Sequence, residues 1–97
     1  MQAIAFNIND DNVLTISGAL TRDAIPSMYQ QWRREITSST VTSVDVSAVD
    51  TVDTAGVALL LELVKTQKLT LLPCTGASQQ LQQIAAVSGV EGLLSLS

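Results

Sequence analysis

Asp45, Asp50 and Asp53 are the carboxylates closest to forming a reactive group, and together they could hold a metal or serve as acid and base. The chain has no histidine, so the commonest general base and the commonest metal ligand are missing. Each aspartate also has a plainer reading, at a strand end, in a turn or as a helix cap, and a solvated structural role is expected for all three. Cys74 follows Pro73 with no basic neighbour to lower its pKa, so a buried or inert thiol is expected. No glycine-rich stretch has the spacing of a phosphate loop. The chemistry-bearing residues therefore imply no enzyme, no cofactor and no metal, and point to a binding module.

The 97 residues allow one domain, residues 1–97. Only 14% are charged, against the usual ~25%, which leaves part of the 46% hydrophobic fraction to emerge on the surface. A net charge of −4, with Arg33-Arg34 as the lone adjacent basic pair, argues against nucleic acid and anionic lipid as partners. The single cysteine cannot form an internal disulfide, and no basic region precedes the first apolar residues, so no signal peptide is expected. Residues 57–61 are the longest apolar run, far short of the ~18 needed for a membrane span. A soluble cytoplasmic domain is expected.

These residues need elements to position them. Ile4, Phe6 and Ile8 alternate as in a strand, Asn9-Asp10-Asp11-Asn12 forms a turn, and residues 13–17 return as a second strand that Gly18 should end. Pro26 suits the first turn of a helix whose core stripe is Ile25, Met28, Tyr29, Trp32 and Ile36. Residues 37–40 read as a loop and 41–46 as a strand ending near Ser47. Residues 54–67 form a second helix, 69–72 a strand closed by Pro73, and Ser78 caps a third helix that runs to Ser88 and stops at Gly89. A short strand over 93–96 is optional. The order ββαβαβα(β) is an α/β fold with a mixed β-sheet.

Val44-Asp45-Val46-Ser47 followed by Val52-Asp53-Thr54-Ala55-Gly56 closely resembles the signature of the STAS family, the sulfate-transporter and anti-sigma-factor-antagonist domain. The Ser17-Gly18-Ala19-Leu20 segment resembles the family's turn after its second strand, and Val87-Ser88-Gly89-Val90 its late apolar-x-Gly-apolar motif. The pieces come in order over nearly the whole chain, which implies the STAS fold. Threonine as the hydroxyl residue, with small residues and a leucine-rich helix behind it, is most similar to the small MlaB-like subunits of Mla phospholipid transporters. That likeness implies a non-catalytic cytoplasmic partner of an MlaF-like ATPase, which in turn drives a permease moving phospholipid between the two bacterial membranes. Association with the membrane would come only through the complex. Classical antagonists usually carry Ser where this chain has Thr54. An anti-sigma factor antagonist switched by phosphate on Thr54 is the alternative.

The partner contact is expected at Thr54, Ala55, Ala58, Leu59, Glu62 and Leu63. At 100° per residue, Val57, Leu60, Leu61 and Val64 form the stripe that should face the sheet, leaving Leu59 and Leu63 off it. Two leucines left in water would make an adhesive patch, so either a neighbouring helix or a partner must cover them, and the resemblance favours the partner. Asp53 and Thr54 both suit the N-cap of this helix, and the small Ala55, Gly56 and Ala58 keep its start thin. Trp32 is expected in the core, with Arg33 and Arg34 beside it suited to an acidic rim on a partner.

Overall fold

Asn9 folds the first hairpin: its side-chain oxygen accepts from the amides of Asp11 at 2.9 Å and Val13 at 3.0 Å, while Asn12 takes the left-handed backbone at φ 64°. The computed structural model describes residues 3–90 and 92–97, and in it this turn joins β1 (Ala5–Ile8) to the antiparallel β2 (Val13–Leu20). After a 3-10 turn over Ile25–Ser27 come α1 (Tyr29–Ser38), β3 (Ser43–Val52), α2 (Thr54–Gln67), β4 (Leu72–Thr75), α3 (Gln79–Ser88) and β5 (Leu94–Leu96). The sheet order is β1-β2-β3-β4-β5, parallel from β2 onward, so it is the mixed sheet that the sequence implied, with the optional last strand present.

The strands alternate between buried and open residues, and the molecule is only 18 Å thick against 31 and 30 Å across. One layer of helices therefore covers one face of the sheet, with α2 between α1 and α3. Leu14, Ile16, Val44, Val46 and Leu72 meet Trp32, Ile36, Leu60 and Leu63 in the core. On the other face, Asn7, Thr15, Asp45 and Thr75 stand in register across four strands. Parallel ladders are ordinarily covered on both sides, and this polar row is what lets one side go bare.

Several boundaries differ from the sequence expectation, the helix opened by Pro26 among them, since residues 25–27 form a separate 3-10 turn and α1 starts at Tyr29. Gly18 does not end β2 or start a turn; at φ 85° it lies within the strand, where two register shifts let Ala19 and Leu20 pair with Thr51 and Val52. That same pairing holds residues 48–52 extended, so β3 runs on to Val52 rather than stopping near Ser47. Thr37 and Ser38, expected in a loop, are helical, with their hydroxyls donating back to the Arg33 and Arg34 carbonyls at 2.8 and 2.9 Å. Residues 68–71 are consumed in leaving α2: Lys68 is left-handed at φ 55° and Leu69 N–H donates to the Val64 carbonyl. The next strand therefore starts at Leu72 and contains Pro73, which lies just before the two residues paired with β3. The bounds of α2 and α3, the Ser78 cap and the left-handed Gly89 at φ 72° are as expected.

Candidate partner-binding site

The start of α2 is organised by Asp53. Its Oδ1 accepts from the amides of Ala55 at 2.9 Å and Gly56 at 3.3 Å, and its Oδ2 accepts from the Arg22 amide at 3.0 Å. One carboxylate thus caps the helix and fastens to it the segment that follows β2. Gly56 sits where an added Cβ would come 2.4 Å from the Leu20 carbonyl oxygen, so the thin helix start admits another backbone, as its small residues implied. Thr54 is not the cap. Asp53 takes that role, which leaves Thr54 in the first helical position, exposed, with no hydrogen bond from its hydroxyl among the described residues.

A groove of about 280 Å³ runs along this end of α2. Ala55, Ala58, Leu59 and Glu62 form one wall, and Arg22, Ile25, Pro26 and Tyr29 the other. Across it the Tyr29 hydroxyl donates to Glu62 Oε2 at 2.7 Å, a bond that raises the phenol's pKa above its ordinary value. Ala58 and Arg22 are exposed, Ala55 and Glu62 half-buried, and Leu59 is 4% exposed at the floor. Of the six residues expected at the contact, four line the groove and Thr54 adjoins it.

Leu63 is not available there. It is fully buried, and the off-stripe leucines are core residues because α2 is flanked by helices on both sides. Leu61, placed on the sheet-facing stripe from the sequence, is only half-buried. The large apolar residues that do emerge are Leu71, Val87 and Leu93, in the region of β4, α3 and β5. The Arg22–Tyr29 wall went unrecognised in the sequence. Ile25 and Tyr29 carry the helical period of a core stripe, and no local pattern shows that a bend some thirty residues away will lie against α2.

The remaining candidates are structural. Trp32 is fully buried, with its ring edge-on to Phe6 at 5.4 Å and its indole N–H without an acceptor among the described residues. Cys74 is 1% exposed and desolvation pushes its thiol up to about 12. Asp45 accepts from the hydroxyl and amide of Ser47 at 2.7 and 2.9 Å, which holds its carboxyl below the ordinary range. Asp50 accepts from the Thr51 hydroxyl at 2.7 Å. Among the described residues no group of three or more His, Cys, Asp or Glu is placed to hold a metal, and no helix is long and apolar enough to cross a membrane.

The family model described as the MlaB STAS domain matches residues 4–95. No curated protein matches significantly. Among solved structures, the anti-sigma factor antagonist SpoIIAA in its unphosphorylated form superposes with a TM-score of 0.70 at 17% identity, covering 98% of this chain and 88% of that one. The phosphorylated form of the Bacillus cell-fate determinant SpoIIAA gives 0.64 at 17%, covering 98% and 91%. An uncharacterised DUF3478 protein with a SpoIIAA-like fold from Shewanella loihica PV-4 gives 0.52 at 15%, covering 98% and 84%. At these identities the structures speak to the fold alone.

Proposed function

The chain belongs to the STAS family, in the group described as MlaB, and from that premise we propose that it is a non-catalytic cytoplasmic subunit that binds the ATPase of a bacterial intermembrane phospholipid ABC transporter. The observation that carries this reading is the groove at the start of α2, where Ala55, Ala58 and Glu62 are open to a partner above the buried Leu59 and beside the exposed Thr54. Two residues that could supply a nucleophile or base are committed elsewhere: Cys74 is buried, with its thiol pushed up to about 12, and Asp53 is spent on three amides. Support of the ATPase follows from mass action, since a subunit that binds only the folded, competent form raises its population. Membrane association then comes through the complex.

Co-expression with the ATPase of a phospholipid ABC transporter tests this. The two should co-elute on size exclusion, and Thr54→Glu or Ala58→Glu, both at exposed positions, should abolish co-elution while leaving the circular dichroism unchanged. Normal co-elution of both folded variants would remove the α2 face from the contact. A second reading, an anti-sigma factor antagonist, is favoured by one observation: the Thr54 hydroxyl is exposed at the start of α2, open to a kinase. Incubation with candidate anti-sigma kinases, followed by intact mass, decides it; an unmodified chain refutes it.

A further inference from the structure

The groove has a charge order as well as an apolar floor. Its α2 wall, Ala55, Ala58, Leu59 and Glu62, occupies positions i, i+3, i+4 and i+7, one face of a helix. Arg22 stands at the Ala55 end, where its amide is tied to Asp53 and its exposed side chain borders the groove. Glu62 stands two turns further on, about 10 Å along the axis. Tyr29 holds one of its carboxylate oxygens. Between the two charges, Ile25, Pro26, Ala58 and Leu59 form an apolar floor.

 

Neither Arg22 nor Glu62 forms an ion pair among the described residues, and both charges border the apolar floor made by Ile25, Pro26, Ala58 and Leu59. At about 280 Å³ the groove falls just under the ~300–1,000 Å³ of small-molecule sites, a size suited to one large side chain. Resting on the partner-binding reading above, we propose that its occupant is an amphipathic helix of the partner with one large apolar anchor between an acidic and a basic residue seven positions apart. The anchor enters the floor, the acidic residue meets Arg22, and the basic residue meets Glu62.

Three blocked helical peptides test this, each with a central Leu and with Asp/Lys, Asp/Asp or Lys/Lys at the two flanking positions. They are titrated into the 15N-labelled chain and followed by amide shifts. The mixed peptide should bind on the order of threefold to tenfold more tightly than either like-charged one, as two rim ion pairs imply, and should shift Arg22 and residues 55–62. In Arg22→Glu, whose exposed side chain makes no contact that the fold needs, the order should change and the Lys/Lys peptide should bind best. Equal affinities, no binding, or an unchanged order in Arg22→Glu overturns the proposal. If the peptides show no preference while the ATPase still co-elutes, the helix chemistry is wrong and the partner-binding reading stands. If the peptide order holds and the ATPase does not co-elute, the groove chemistry stands and the ATPase assignment falls.

Discussion

Replacing Asp53 with alanine tests whether the signature aspartate is a functional group or a fastener. The substitution removes all three acceptor contacts at once: the caps of Ala55 and Gly56 and the tie to the Arg22 amide. Loss of an N-cap costs ~1 kcal/mol, and loss of a further bond to a charged acceptor about 1.5 kcal/mol. The sum, about 2.5 kcal/mol, is a large fraction of the ~5–15 kcal/mol that holds a domain of this size together. At about 4–8 °C per kcal/mol, the midpoint of thermal unfolding should fall by roughly 10–20 °C. Asp53→Asn keeps a side-chain acceptor for the cap but turns an NH2 toward the Arg22 amide, and should lose the tie alone, about 1.5 kcal/mol. Urea unfolding followed by circular dichroism measures both, with an unchanged m-value showing that the native state still unfolds as one unit. A wild-type midpoint in Asp53→Ala would refute the assignment of the carboxylate as the joint between α2 and the segment after β2. Weakened partner binding with unchanged stability would make Asp53 a contact residue instead.

Other perturbations follow from the same contacts. Gly56→Ala, which in an open helix would gain up to ~1 kcal/mol, should instead destabilise by about 1–3 kcal/mol because its Cβ meets the Leu20 carbonyl; a raised urea midpoint would contradict this. Gln67 donates to the Ile36 and Ser39 carbonyls and accepts from the Val41 amide, so Gln67→Ala should cost about 2–3 kcal/mol by chemical denaturation. The Cys74 thiol should resist a disulfide reagent at pH 8 until the chain unfolds. Because its folded pKa is raised to about 12 from 9.0, the unfolded chain loses this proton first, and stability should decline as pH rises above 9; Cys74→Ala should flatten that decline. Ser47→Ala should move the Asp45 carboxyl back up toward its ordinary value, read by NMR titration.

Helices were easier to read in the sequence than strand ends, for a physical reason. The bounds of α2 and α3 are written locally in Asp53, Ser78 and Gly89, whose side chains or backbone angles act on the adjoining turn. The extension of β3 to Val52 is not local, since Asp50, of turn-like composition, falls at a register shift and the strand is carried past it by Thr51 and Val52 pairing with Ala19 and Leu20 of β2. Leu59 and Leu63 show the same division. Their angular position on α2 was legible, but whether helix or solvent lay opposite depended on α2 being the middle of three helices. Half of the groove was legible, because its α2 wall lies within one contiguous motif. The other wall is brought there by Asp53 reaching a backbone amide 31 residues away.

The bare face of the sheet gives the experimenter a handle. Asn7, Thr15 and Thr75 project from the side of an 18 Å slab opposite the helix layer that carries the groove. A dye or surface tether introduced at Asn7 or Thr75, both exposed, would leave the groove turned toward solution. Immobilised by that face, the chain would present its helices to whatever flows past.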